Sequence, residues 1–103
     1  MSASQFSYLQ KAWGGSKDQV SMDDVRTAIA ETIAMDDEHG AFWVGTGDED
    51  YVLEVWKDLT TFWYFPGKTD VRKQLPNWEM VEQLFELLLG EDYEQVSAIM
   101  ENV

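Results

Sequence analysis

Three runs rich in β-branched and aromatic residues, at 41–44, 51–56 and 59–65, follow one another almost without interruption and constrain the fold more than anything else in the chain. Val, Trp, Phe, Tyr and Thr suit a pleated, half-buried surface. The segments between the runs, Gly45-Thr46-Gly47-Asp48-Glu49-Asp50 and Lys57-Asp58, are too short for the crossover that parallel strands need. The spacing therefore predicts a three-stranded antiparallel meander. Alternation along the third run puts Leu59, Thr61, Trp63 and Phe65 on one face and Thr60, Phe62 and Tyr64 on the other. Helices packed on one side leave the second face open, so at least one of Trp56, Phe62, Trp63 and Tyr64 is expected to be partly exposed.

Before the meander, residues 5–13 read as a short strand, broken by Gly14-Gly15-Ser16 and a loop to about Val20. Ser21 is placed to cap a helix whose first turn carries Asp23 and Asp24 at the positive end of the dipole. Met22, Val25, Ile29 and Ile33 recur at helical spacing, and Gly40, after Asp36-Asp37-Glu38-His39, is expected to close that helix in a left-handed conformation. After the meander come a Pro66-Gly67-Lys68 turn and a stretch at 71–75 readable as loop or short edge strand. Pro76-Asn77 then starts a helix with Trp78, Val81, Leu84, Phe85, Leu88 and Leu89 on one face. Gly90 ends it, and Asp92 is expected to cap a last helix presenting Tyr93, Val96, Ile99, Met100 and Val103.

No linker, repeat or low-complexity tract divides these pieces, so residues 1–103 are read as one domain. The expected class is α+β: a small antiparallel sheet, the three-stranded meander with or without a further N-terminal strand, and about three helices packed mainly on one face. Ile29, Ile33, Leu53, Val55, Phe85 and Leu88 are the expected core.

Twenty acidic residues against seven basic ones give a net charge of −13, on a chain that is 45% hydrophobic and 14% aromatic. Such a chain carries its charge on a packed body instead of remaining disordered. It is unsuited to a phosphate backbone, because that binding depends on cations replacing counterions. With no cysteine, disulfides and thiolate chemistry are absent. The first residues have neither a basic segment nor a continuous apolar run, and no apolar run approaches a membrane span. A soluble cytoplasmic protein is the expectation.

The motifs that carry chemistry are mostly missing. Asp36-Asp37-Glu38-His39 offers metal-binding atoms, but four consecutive residues rarely converge on one ion. The 45–50 segment lacks the Lys and Ser/Thr of a phosphate loop and the ligand alternation of a calcium loop. Ser and Thr nucleophiles have no base beyond His39. The expectation is a protein that is not an enzyme and takes no cofactor or metal. Residues 18–58 hold twelve acids and two bases, and residues 74–103 seven acids and no base. A field of one sign steers oppositely charged partners, so a basic protein is the expected partner. The expected binding surface joins Asp36, Asp37 and Glu38, the tip Asp48, Glu49 and Asp50, and the aromatics Trp56, Trp63 and Tyr64.

The helix from Ser21, the stretch His39-Gly40-Ala41-Phe42-Trp43-Val44-Gly45, the strand Tyr51-Val52-Leu53-Glu54-Val55-Trp56 and the Leu- and Phe-rich C-terminal helix together give a layout that resembles the small immunity proteins of bacterial polymorphic toxin and contact-dependent inhibition systems. The resemblance covers most of the chain without a short diagnostic signature. It implies a compact inhibitor that neutralises one toxin domain, often a nuclease or deaminase, by docking on its basic groove. Two other readings share the charge logic: a phage or plasmid inhibitor whose carboxylates imitate DNA, and an acidic accessory subunit with no inhibitory role.

Overall fold

The computed structural model describes residues 7–46, 51–67 and 71–103. Strands β1 (Ser7–Lys11), β2 (Ser16–Asp18), β3 (Ala41–Thr46), β4 (Tyr51–Trp56), β5 (Thr60–Tyr64) and β6 (Val71–Gln74) form one antiparallel sheet in the order β2-β1-β3-β4-β5-β6. Helices α1 (Met22–Ala34), α2 (Trp78–Leu89) and α3 (Tyr93–Asn102) complete the α+β architecture. The expected three-stranded meander with one possible addition is thus corrected to six strands. The meander itself is present as β3, β4 and β5, with Leu59 in the turn and not in the strand.

Of the additional strands, β1 falls within the strand expected at 5–13 and β6 within the stretch readable as loop or short edge strand, while β2 lies where a loop is expected; β2 and β6 form the two edges. Leu9 of β1 lies opposite Val44 of β3, and Gly14 and Gly15, at φ of 101° and 113°, reverse the chain so that β2 returns along β1. Positive φ at two successive residues is a conformation that glycine adopts without steric cost. All three residues of β2 are exposed, so hydrophobic alternation could not announce it. On the other edge Trp63 pairs with Val71, and β6 carries Arg72 and Lys73, charges that discourage further strand addition.

One face of the sheet is buried under the helices. Phe42, Val44, Leu53, Val55 and Trp63 meet Val81, Leu84, Phe85 and Leu88 of α2 and Val96 and Met100 of α3 in a continuous core. The Phe42 and Phe85 rings stack at 5.2 Å. Trp63 is fully buried, donates its indole N–H to Ser97 at 2.9 Å and stacks among Tyr51, Phe65 and Tyr93. Tyr93 lies parallel to Tyr51 at 3.6 Å and shares a 2.9 Å hydrogen bond with Thr46, and burial raises its phenol pKa. No helix among the described residues is long and apolar enough to cross a membrane.

The helix ends show where local signals held. Ser21 accepts from the Asp24 backbone N–H at 3.2 Å while the Asp24 carboxylate accepts from the Ser21 N–H at 2.9 Å, a reciprocal capping box. That bond, helped by Lys17, holds the Asp24 carboxyl below the usual aspartate range. Asn77 caps α2 through the Met80 N–H at 2.9 Å. Asp92 stands at the N-cap of α3 but makes no side-chain cap, correcting that expectation. Helix α1 stops at Ala34, ahead of the acids whose charges oppose the negative end of its dipole, and Lys57 supplies the missing cation by donating to the Met35 carbonyl at 2.5 Å. Gly40 is not a left-handed cap. A Cβ there would lie 2.9 Å from both the Asp36 carbonyl and the Lys57 side chain, so glycine serves close approach between the turn and β4.

Ile33 also departs from expectation: it is 47% exposed. The buried stripe of α1 is Val25, Ala28, Ile29 and Thr32, and Ile33 stands roughly 80° around the helix from Val25 at about 100° per residue. Thr32 takes the core position instead, and its hydroxyl is buried with no hydrogen-bond partner among the described residues. Thr32→Val should therefore raise stability by about 1 kcal/mol, because an unpaired buried hydroxyl carries its desolvation cost. Leu88→Ala should lower it by about 2–5 kcal/mol through the cavity it leaves. Urea titration of the two variants checks both signs.

Candidate functional site

Among the described residues no helix lies over the opposite face of the sheet. Strand register places Asp18, Tyr8, Gly45, Val52 and Tyr64 in one row across it, and Ser16, Gln10, Trp43, Glu54, Phe62 and Arg72 in the next. Trp56 follows Glu54 on the same side of β4. Tyr8, Trp43, Trp56, Phe62 and Tyr64 are all partly exposed there, together with Val52. Period-two alternation produces this: each strand that sends Leu53, Val55 or Trp63 inward must send its neighbours outward.

Several contacts hold the aromatic side chains in place. Trp43 donates its indole N–H to Gln10 Oε1 at 3.1 Å, and Trp56 donates to Glu54 Oε2 at 2.6 Å. Phe62 and Tyr64 lie nearly parallel at 6.2 Å, and the Arg72 guanidinium sits 5.9 Å from the Phe62 ring centre. Tyr8 lies across the backbone of Gly45, where a Cβ would come within 2.2 Å of the ring. Beside the row, Trp56, Asp58, Thr60, Phe62 and Arg72 line a depression of about 180 Å³. The Thr60 N–H, 2.9 Å from Asp58 Oδ1, holds the Asp58 carboxyl below its ordinary range, with the Thr60 hydroxyl and the Arg72 charge adding to the effect.

The structure separates the residues expected to form one binding surface. Trp56 and Tyr64 are on the open face, but Trp63 points into the core at 0% exposure and is unavailable to a partner, because its position in β5 has the opposite parity. Asp36, Asp37 and Glu38 are exposed in the turn beside the Ala41 end of β3. There the Asp36 carboxylate bonds the His39 ring and backbone N–H, both at 3.1 Å, contacts that lower its pKa, and Asp37 lies 3.8 Å from Lys57. Asp48, Glu49 and Asp50 lie outside the described residues.

Sequence reading missed Tyr8, Gln10, Trp43, Glu54 and Arg72 as members of this face. The available signal was Glu54, a charged residue alternating with Leu53 and Val55 inside an apolar run, which marks its side of β4 as outside the core. Among the described residues no three His, Asp or Glu side chains cluster as a metal site. The chain matches no protein-family model, no curated protein and no solved structure.

The packing of Tyr8 on Gly45 makes a separate test of the face. Gly45→Ala should displace the ring and cost about 1–3 kcal/mol as an overpacked contact. In a Tyr8→Ala background the same change should cost almost nothing, which a double-mutant cycle by thermal melting measures.

Proposed function

We propose that the protein is a non-catalytic inhibitor that docks on a basic protein partner through the open face of its sheet, in the manner of an immunity protein neutralising a toxin domain. The observation that carries this reading is the set of five aromatic side chains, Tyr8, Trp43, Trp56, Phe62 and Tyr64, partly exposed across contiguous strands with no helix among the described residues over them. Aromatic anchors of this kind supply most of the energy at protein interfaces and lose little conformational entropy on binding. The surplus of thirteen negative charges adds long-range attraction for a basic surface.

The same face argues against imitation of DNA there. A phosphate mimic needs carboxylates in series, whereas this surface has Glu54 in its middle and Asp18 and Asp58 at its margins, separated by aromatic rings. The resemblance to immunity proteins supplies the expected partner, a basic nuclease or deaminase domain, and the cytoplasm as the place of action.

Charge and aromatic contact should act on different rate constants. Against purified toxin nuclease and deaminase domains in surface plasmon resonance, association should slow as salt is raised, because screening shortens the reach of the field to about 8 Å at physiological ionic strength. Trp56→Ala and Phe62→Ala should each speed dissociation roughly tenfold or more, while Ile33→Ala on the helical side should not. A complex indifferent to both aromatic substitutions would refute docking through this face.

A further inference from the structure

The centre of the open face holds a carboxylate that makes no ion pair among the described residues. Glu54 is half-buried, lies between Trp43 and Phe62 in the cross-strand row, and is bonded through Oε2 to Trp56. None of the cations among the described residues forms an ion pair with it. Lys11, Lys17, Arg26 and Lys57 pair with Glu31, Asp24, Asp23 and Glu82, and Asp37 respectively. Arg72 lies beyond Phe62 and shares its depression with Asp58, and Lys73 reaches the Val103 carbonyl at 3.4 Å. A neutral indole N–H stabilises the Glu54 carboxylate but does not cancel its charge.

Resting on the docking proposed above, we infer that Glu54 receives an arginine of the partner, its guanidinium set against the carboxylate and stacked on the neighbouring aromatic rings. Any surface that covers this face strips water from Glu54, and a desolvated carboxylate without a cation is strongly unfavourable. The partner must therefore bring a positive group to this point. Arginine fits better than lysine, since its planar, weakly hydrated fork can bond the carboxylate and stack on an aromatic ring at once, whereas an ammonium is a compact and strongly hydrated charge. The molecule already sets cations near aromatic rings, Arg72 at 5.9 Å from Phe62 and Lys11 at 5.9 Å from Trp13, so the choice between the two rests on the geometry of the guanidinium fork.

The test needs no identified partner. N-acetyl-arginine amide, N-acetyl-lysine amide and N-acetyl-citrulline amide are titrated into ¹⁵N-labelled protein at physiological ionic strength, following the indole N–H resonances of Trp43 and Trp56. Arginine amide should shift both resonances saturably, lysine amide less, and citrulline amide, which has the same shape without the charge, not at all. Glu54→Gln should abolish the response and Glu82→Gln preserve it. Equal shifts with citrulline, or a response that survives Glu54→Gln, would overturn the inference. The docking reading fails separately. If a toxin domain is held through Trp56 and Phe62 while Glu54→Gln changes its affinity by less than about threefold, docking stands and the arginine site falls; a buried pair would cost well over tenfold. If arginine amide binds at Glu54 yet Trp56→Ala and Phe62→Ala leave every toxin complex unchanged, the arginine site stands and docking falls.

Discussion

The register of β4 between β3 and β5 decides what this molecule is. With Leu53 opposite both Val44 and Trp63, and Val55 opposite Phe42 and Thr61, one side of three strands becomes a continuous apolar surface for α2 to cover. A slip of one residue would bury Glu54 and expose Leu53 and Val55, so the hydrophobic effect holds the register firmly. The price of that order is that Glu54, Trp56, Trp43 and Phe62 are all sent to the other side, where no helix among the described residues covers them. The core and the candidate docking face are two consequences of one alternation.

The cations are used mostly at the ends of elements. Lys57 closes the C-terminus of α1, Lys17 supports its capping box, and Lys11 and Arg26 bind exposed glutamates and an aspartate along the helical side. Exposed pairs of this type contribute only about 0–1 kcal/mol each, so their value lies in local geometry more than in stability. Much of the acidic surplus stays unneutralised, and the helices α2 and α3 carry acids with no Lys or Arg between them. The fold withstands that repulsion because its apolar core is extensive, reaching from Val25 and Ile29 through Phe85 to Val96 and Met100.

Burial of Trp63 and exposure of Trp56 show how the same residue type takes opposite roles through parity alone. Trp63 finds a hydroxyl partner in Ser97 inside the core, and Trp56 finds a carboxylate partner in Glu54 outside it. Both indoles satisfy their N–H, but only the second leaves an aromatic plane for another molecule. The groove of about 780 Å³ near Leu75, Met80 and Ile99 on the helical side has no comparable charged feature to specify an occupant.

Much of this was written locally. Ser21 with Asp24, Pro76-Asn77 and the apolar spacing of 78–89 determined two helices, since caps and periodicity act within a few residues. The alternation of β3, β4 and β5 determined a sheet and required an open aromatic side. Tertiary structure alone decided the rest. Strand β2 exists because β1 offers unpaired backbone groups, a partnership invisible in three polar residues, and pairing with β5 decided in favour of a strand at 71–74, where the residues alone allowed loop or edge strand. Ile33 yielded its core position to Thr32 because the angle at which α1 meets its neighbours is not encoded in spacing. Which tryptophan faces outward, and that Glu54 stands among aromatic rings with no ion pair to any described cation, followed only from register across several strands, where residues far apart in sequence become neighbours.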